Sequence, residues 1–274
     1  VMAQHTRVKE NGVIVGGPIY YIRYIFKGKF GKFLAGFFSV AIILALGFMG
    51  NMVQSNSIGG SFENAFGVKP IFVGVVIAII AGFIFIGGIN RIARVTEKVV
   101  PIMALVYVGG CAVILCMNIQ GVGKAFHDIF VAAFNPILTM TALVILSTGA
   151  LSSGETASAL AQVAFDSAFG SFGKIFIAIC MLFFAFTTII GWYYFGEVNV
   201  RNLFGKKAVK IYAALGVIFV LLGSTLKVDL VWNMSDMFNG LMVIPNLIAI
   251  LASIPIVIRL SKEHEKILKK KNKK

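Results

Sequence analysis

Charged side chains are scarce in this sequence. Asp and Glu together number 11 of 274 residues, and the four charged types make up 13% of the chain, whereas hydrophobic residues make up 58%. The mean hydropathy is +0.91. A water-soluble protein needs a far more polar surface than this composition can supply. The composition therefore excludes a soluble multidomain protein and predicts a single membrane domain over residues 1–274.

Cysteine, histidine and catalytic motifs are also scarce. Cys111, Cys116 and Cys180 all lie inside apolar runs, which argues against a disulfide framework. The sequence has no HExxH, P-loop, nucleophile-elbow or potassium-filter motif, so we expect no enzyme, channel filter or cofactor. The first residues, VMAQHTRVKENG, do not form a signal peptide. Because the sequence begins with Val, we expect the natural start to lie upstream.

Long apolar runs dominate what is present. A bilayer-spanning helix needs about 20 predominantly apolar residues, and seven runs reach or approach that length. They are 34–53, 71–89, 99–117, 137–151, 172–195, 208–226 and 238–258.

Positive charge predicts how these runs are oriented, because cytoplasmic loops carry an excess of Lys and Arg. Six Lys and Arg residues before the first run, and Arg91, Arg94 and Lys98 after the second, predict cytoplasmic segments. The basic links at 201–210 and 261–274 predict cytoplasmic segments as well, with the weakly charged link 227–237 outside. The 261–274 tail is best interpreted as a solvated segment that sets the topology, and contact with anionic headgroups is the alternative. The tail carries none of the aromatic or Gly-rich elements that recognise nucleic acids, so we expect no nucleic-acid partner.

The two halves of this topology disagree near Pro136. The first half places 120–130 outside, whereas the second half requires the short run 137–151 to cross and end outside. The preceding residues, 126–136, are typical of an interfacial helix. We therefore predict a lost crossing, with a deletion junction near 136/137. The alternative is an additional crossing at 152–168, which would bury Glu155 and Asp166 in hydrocarbon at high cost.

Polar side chains within the first run are candidates for a binding site. Asn51, Gln54 and Ser55 lie along one stripe of a helix whose other faces are apolar. Polar groups at membrane depth face the bundle or a water-filled cavity. A hydrogen-bonded seam between helices, helped by Gly47 and Gly50, explains the same pattern equally well.

The run 172–195 offers a second candidate wall. Thr187 and Thr188 carry hydroxyl oxygens, which a hard cation such as sodium prefers. The alternative for both threonines is a hydrogen bond to a carbonyl of their own helix. Trp192 shares a face with Thr188, and its alternative role is that of an aromatic residue at the membrane interface.

Two further segments have unusual composition. Residues 147–165 are rich in Ser, Thr, Ala and Gly, which allow close helix approach or an unwound turn. In the last run, Pro245 removes a backbone donor, and Asn246 is positioned in the sequence to satisfy the carbonyl left free. A simple kink without a ligand is the preferred interpretation.

Several of these segments together resemble the alanine or glycine:cation symporter family, and the resemblance covers nearly the whole chain. The matching motifs are GGPIYYI (16–22), GNMVQSNSI (50–58), GGINRIARVTEKVVPIMALVY (87–107), TALVILSTGALSSGETASALAQVAF (141–165), FFAFTTIIGWYYFGE (183–197) and SDMFNGLMVIPNLIAIL (235–251).

The resemblance implies an all-α membrane protein with the inverted five-plus-five bundle of leucine-transporter type. About seven transmembrane helices would be present, corresponding to core helices 3–5 and 7–10 of that fold. Core helices 1 and 2 would precede Val1, and core helix 6 with the start of core helix 7 would be missing near 136/137. The broken helices 1 and 6 supply most ion and substrate contacts in such bundles, so much of the site would be absent.

By the same resemblance, Phe48, Asn51, Gln54 and Trp192 are candidate substrate residues, and Thr187 and Thr188 are tentative sodium ligands. The implied function is sodium-coupled symport of alanine or glycine across the plasma membrane by alternating access, with proton coupling left open. Two alternatives are a deletion product that transports nothing and a membrane scaffold whose partner supplies the missing helices.

Overall fold

The computed structural model describes residues 1–10, 13–120, 122, 139–155 and 157–271. A hairpin of β1 (Val8–Glu10) and β2 (Val13–Val15) lies near the N-terminus, and the rest of the described chain is mainly helical. The helices are α1 (Met2–His5), α2 (Pro18–Ile25), α3 (Gly28–Ile42), α4 (Asn51–Phe66), α5 (Pro70–Ile86), α6 (Gly88–Met117), α7 (Thr139–Thr148), α8 (Ala157–Phe169), α9 (Ser171–Phe204), α10 (Lys206–Thr225) and α11 (Val228–Lys271).

The first long helix is interrupted without being broken. A π-helical segment, Ile43–Gly50, joins α3 directly to α4, so the helix continues from Gly28 to Phe66. Gly67 ends it in the left-handed conformation, with φ of 67°, as is common at helix C-termini. The predicted run 34–53 is therefore the middle of a 39-residue apolar helix.

The main core lies among α4, α5, α9 and α10. Small residues allow these helices to pack closely: Gly74 and Gly82 of α5 face Ser224 and Val217 of α10. These two contacts run in opposite directions along the two helices, so α5 and α10 are antiparallel. Near the C-terminus of α5, the Phe85 ring stacks on Tyr193 of α9, with ring centroids 3.6 Å apart. Tyr193 stacks in turn on Tyr212, at 4.9 Å.

Large apolar side chains cover the outer faces of α5 and α6. Phe83 is 67% exposed, Ile86 82% and Leu105 76%. Exposed apolar surface on this scale is unfavourable in water and is expected where helices face lipid. Together with the helix lengths, it indicates a protein that crosses the membrane several times.

Five helices of the described chain are long and apolar enough to span a bilayer. They are Gly28–Phe66, Arg91–Met117, Ser171–Phe204, Lys206–Thr225 and Val228–Glu263. A sixth apolar helix, Pro70–Ile86, has 17 residues, which is near the lower limit for a span. Six of the seven predicted runs thus lie in such helices.

Two predicted links are helical instead. The link containing Arg91, Arg94 and Lys98 belongs to α6, and most of the link 227–237 belongs to α11. Both stretches consist largely of residues that helices tolerate, and charges at a helix end do not stop its hydrogen-bonded ladder. The link at 201–210 does interrupt the chain, because Gly205 separates α9 from α10 with φ of 81°.

The run 137–151 is described only from Thr139 onward. Its described helix, α7, has ten residues and rises about 15 Å, half of a hydrocarbon core of about 30 Å. Because the residues before Thr139 lie outside the described part of the chain, the crossing of this run stays a prediction.

The alternative crossing at 152–168 is absent as a span from the described chain. Helix α8 has 13 residues, so it rises only about 20 Å. Glu155 is exposed, and Asp166 forms an ion pair of 3.4 Å with Lys174. The predicted interfacial segment 126–136 and the predicted deletion junction near 136/137 lie outside the described residues.

The N-terminal part packs against the last helix. Ile19, Ile22 and Leu34 of α2 and α3 form a small core with Ala249 of α11. The Tyr21 hydroxyl donates a hydrogen bond to Asn246 Oδ1. Asn246 therefore holds α2 against α11 through its Oδ1 atom. The carbonyl freed by Pro245 would need a donor, which is the Nδ2 atom of Asn246.

Candidate functional site

The candidate site lies where the π-helical segment meets α9. Gly50, the last residue of that segment, has no room for a side chain, because the Trp192 ring occupies the space beside its Cα. Gly47 is similarly covered by the Tyr212 hydroxyl of α10. Single-turn π-helical bulges often occur at functional sites, where they change which groups a helix presents. The segment here brings the start of α4 against Trp192.

Asn51 follows this segment and is fully buried. Its Nδ2 donates to the Gly47 carbonyl oxygen at 3.0 Å. Its Oδ1 is buried and has no hydrogen-bond partner among the described residues. A buried acceptor without a partner is costly, so this oxygen is a candidate contact for a donor or a cation. Gln54, one turn further along α4, is half-buried.

Phe48 of the π-helical segment packs against aromatic rings of α10. It is 8% exposed and stacks on Phe219 of α10, with ring centroids 4.6 Å apart. It also contacts the Tyr212 ring at 5.4 Å. Phe48 thus packs the π-helical segment against α10.

Ser55 and Asn56 form the hydrogen-bonded seam that was the alternative interpretation of the polar stripe. The Ser55 hydroxyl donates to the Val220 carbonyl oxygen at 2.6 Å. Asn56 Nδ2 donates to the carbonyl oxygens of Gly223 and Leu226, at 2.9 and 2.7 Å. These bonds hold α4 to the C-terminal half of α10. Within the predicted stripe, Ser55 therefore has a structural role, whereas Asn51 keeps a buried oxygen without a partner among the described residues.

Thr187 and Thr188 lie on α9, and both hydroxyls donate to carbonyl oxygens of their own helix. Thr188 bonds Phe184 at 2.8 Å, and Thr187 bonds Phe183 at 2.9 Å. This arrangement is the predicted alternative. A hydroxyl that donates keeps lone pairs free to accept, so a cation could still bind either oxygen.

The two threonines differ in their surroundings. Thr187 is 9% exposed and approaches Met103 Sδ of α6 at 3.8 Å. Thr188 is half-buried and lies one turn before Trp192 on the same face of α9, about 6 Å along the helix axis. Thr188 thus shares a helix face with Trp192, whose ring contacts Gly50, whereas Thr187 faces α6.

Glu197 of α9 is a buried acidic residue that sequence patterns did not predict as part of a site. This side chain is 1% exposed and is paired with Arg201 one turn later. Its Oε2 has no partner among the described residues. A signal was available, because Glu197 lies within two residues of the apolar run 172–195, and an ionisable residue at membrane depth suggests a functional site by default.

Gln162 was also missed. It is 2% exposed, and its Nε2 donates to the Ser61 carbonyl oxygen at 3.0 Å. Its Oε1 accepts from Asn64 Nδ2 at 3.1 Å. Gln162 thus fixes α8 to the C-terminal half of α4 within the Ser, Thr, Ala and Gly-rich segment.

The model of the sodium:alanine symporter family matches residues 1–137 and 136–274. The chain belongs to the sodium:alanine symporter family. Because the two matched segments together cover the whole chain, family membership rests on both halves of the bundle.

Individual relatives agree with this assignment. A sodium/alanine symporter, AgcS, of Methanococcus maripaludis is 29% identical over 337 positions, covering 98% of this chain and 74% of AgcS. A probable sodium/glutamine symporter, GlnT, of Bacillus subtilis is 31% identical and covers 91% of the chain and 64% of GlnT. An uncharacterised transporter of Haemophilus influenzae is 29% identical, covering 98% and 73%. This is a family of transporters and not of enzymes.

The alignment with AgcS is longer than the chain itself. It has 337 positions against the chain's 274 residues, so at least 63 positions hold residues only in AgcS. The sodium:alanine symporter family model likewise matches as two segments, which meet at 136/137.

Proposed function

We propose that the protein carries out sodium-coupled symport of alanine or glycine across the plasma membrane by alternating access, on a leucine-transporter-type inverted-repeat bundle. The observation that carries this proposal is the family match over both halves of the chain. AgcS is named for sodium and alanine, and GlnT for sodium and glutamine. Because these two relatives are named for different amino acids, the choice of alanine or glycine as the substrate is part of the proposal.

The substrate would bind against the wall formed by the π-helical segment, α4 and α9. Asn51 Oδ1 is buried and lacks a partner among the described residues, so it would accept a hydrogen bond from the substrate ammonium group. Gln54 is half-buried one turn away and would offer a second polar contact. The Trp192 ring, packed on Gly50, would limit the pocket to a small side chain. Phe48 would hold this wall against α10.

Sodium would bind near the hydroxyl oxygens of Thr187 and Thr188. Both oxygens keep free lone pairs after donating to their own helix. Sodium is a hard cation and prefers oxygen ligands. Thr188 is the stronger candidate, because it shares a helix face with Trp192 and would place the ion close to the substrate.

The charge pattern supports a multi-pass topology with the C-terminal tail in the cytoplasm. Arg201, Lys206 and Lys210 lie at the same end of the bundle as the C-terminus of α5, since all of them line one cavity with Ile86. An excess of positive charge at one end marks the cytoplasmic side. The surrounding bilayer is the remaining partner that this topology requires.

A second candidate is a transport domain that has lost an internal segment and no longer transports, or that serves as a membrane scaffold. The alignment with AgcS contains at least 63 positions absent from this chain, enough for two spans of about 20 residues and their links. Removing two crossings would leave the orientation of the remaining helices in the membrane unchanged. A deletion near 136/137 within one domain, 1–274, would account for the additional positions in AgcS and for the two matched segments that meet there.

Two experiments distinguish the candidates. The first measures uptake of labelled alanine, glycine and glutamine by proteoliposomes containing the chain, with an inward sodium gradient or with potassium replacing sodium. Symport predicts uptake of alanine or glycine in sodium alone, and no uptake above empty liposomes would refute it. The second sequences the native locus across codons 136 and 137. An uninterrupted frame without additional codons is the result that the deletion proposal requires.

A further inference from the structure

A cavity of about 680 Å³ lies where α5, α9 and α10 meet. It is located at the end of the bundle where α9 stops and α10 begins. The apolar part of its wall includes Phe85, Ile86 and Val217. None of the proposed substrate or sodium residues lines it. The cavity is thus separate from the site described above.

The polar part of the wall carries more positive than negative charge. Arg201, Lys206 and Lys210 line the cavity together with one acidic residue, Glu197, which leaves a net charge of about two positive units. Lys206 is the first residue of α10, and no side chain caps that helix N-terminus. Free backbone N–H groups and the helix dipole at such an end favour an anion.

Two buried atoms in this wall lack partners among the described residues. Arg201 donates from Nη2 to Glu197 Oε1, while Arg201 Nε and Glu197 Oε2 remain unpaired. The first is a donor that a phosphate oxygen would satisfy. The second is an acceptor that a hydroxyl group would satisfy. A ligand carrying both a phosphate and a hydroxyl would complete both atoms.

The position of the cavity favours a lipid over a soluble ligand. The apolar helices end at this level and basic residues begin, as they do at the headgroup region of a bilayer. Ile86 on the rim is 82% exposed and belongs to the outer apolar face of α5. A cavity of this size can hold a drug-sized ligand, and an acyl chain would lie along Phe85 and Val217. Basic pockets between membrane helices bind lipid headgroups by the same chemistry.

We propose that this cavity binds an anionic phospholipid of the phosphatidylglycerol type. The phosphate accepts a hydrogen bond from Arg201 Nε and lies against Lys206, Lys210 and the N-terminus of α10, and a glycerol hydroxyl of the headgroup donates to Glu197 Oε2. One acyl chain occupies the apolar wall formed by α5 and α10. The proposal does not depend on which amino acid the protein transports.

Thermal unfolding of the full chain in neutral detergent tests this, with Trp192 and Trp232 as fluorescent reporters. Phosphatidylglycerol at a fixed mole fraction should raise the unfolding midpoint, whereas phosphatidylcholine should not. Lys210→Ala removes one charge from the cavity and should weaken the apparent phosphatidylglycerol affinity about fivefold, since one lysine near an anionic surface contributes about 1 kcal/mol. Lys207→Ala is the matched control, because Lys207 is an exposed neighbour that does not line the cavity.

Three results would overturn the proposal. One is an equal loss of affinity in Lys210→Ala and Lys207→Ala, which would indicate only general attraction of anions to a basic surface. Another is stabilisation by phosphatidylcholine as strong as that by phosphatidylglycerol. The third is the full effect from glycerol 3-phosphate alone, which would make the ligand a soluble phosphate.

Discussion

Asn51 and Ser55 are one turn apart on α4, yet their side chains have different roles. Ser55 donates to the Val220 carbonyl oxygen at 2.6 Å and stabilises the contact with α10. Asn51 bonds only to its own helix and leaves Oδ1 without a partner in the described part of the chain. Sequence spacing placed both residues on one stripe. It could not separate them, because the separation depends on which neighbour each side chain reaches.

Substituting Asn51 should therefore affect alanine binding and not stability, whereas substituting Ser55 should affect stability and not alanine binding. Asn51→Leu removes an unsatisfied buried group, so we expect the free energy of unfolding to change by less than about 1 kcal/mol while alanine binding is lost. Ser55→Ala should lower stability by about 1 kcal/mol and leave alanine affinity unchanged. Unfolding by SDS titration and equilibrium binding measure the two effects. Normal alanine affinity in Asn51→Leu would remove Asn51 from the site.

Thr188 gives a second residue-scale prediction. Thr188→Val keeps the shape of the side chain but removes the hydroxyl oxygen, so we expect about tenfold weaker sodium activation, because a contact with a charged group contributes about 1.5–3 kcal/mol. Thr188→Ser should retain activation. The measurement is the sodium concentration that half-saturates alanine binding or uptake. An unchanged value in Thr188→Val would eliminate this threonine as a ligand.

At the scale of elements, close helix contacts depend on glycine at particular positions. Gly223 of α10 lies directly against the backbone of Met52, at the point where the Asn56 side chain also bonds the Gly223 carbonyl oxygen. Apolar runs predicted where these helices lie. Periodicity could not predict the π-helical segment Ile43–Gly50 or which glycines touch another helix, because both depend on how α4, α9 and α10 pack.

Gly223→Ala should push α10 away from α4. Because a new methyl group would overlap backbone atoms of Met52, we expect a loss of about 1–3 kcal/mol in the free energy of unfolding. Gly60→Ala is the control, since no atom lies within 4 Å of the added carbon. That variant should be unchanged or up to about 1 kcal/mol more stable, because alanine favours a helix. SDS-induced unfolding followed by tryptophan fluorescence provides both values, and equal stabilities would contradict the packing argument.

At the scale of the whole molecule, the length and hydropathy of the apolar runs predicted most of the long helices of the described chain, whereas the orientation that charge predicts stays a prediction. Six of seven apolar runs lie in helices of 17 residues or more. The seventh run is described only from Thr139, and hydropathy alone could not show that glycines with positive φ, Gly149 and Gly154, enclose a 3₁₀ turn after α7. The substrate and ion site was predicted only as two walls, because spacing along separate helices does not determine their distance in space.

The six long apolar helices of the described chain predict six crossings, with its N-terminal and C-terminal ends in the cytoplasm. Reporter fusions after Phe66, Met117, Gly154 and Thr225 should be exposed outside, whereas fusions after Ile86, Phe204 and Lys271 should be cytoplasmic. A paired reporter active on only one side of the membrane gives each result independently. If fusions after Met117 and Gly154 lie on opposite sides, a crossing exists between them and the count of six crossings is wrong.

Coupling between sodium and the amino acid is the central claim, and equilibrium binding by the full chain in nanodiscs tests it most directly. Alanine affinity is measured in sodium chloride and in potassium chloride at equal ionic strength, and sodium affinity is measured with and without alanine. The proposal predicts tighter alanine binding in sodium, and linkage requires alanine to tighten sodium binding by the same factor. No alanine binding, or equal affinity in the two salts, would contradict a coupled site on α4 and α9.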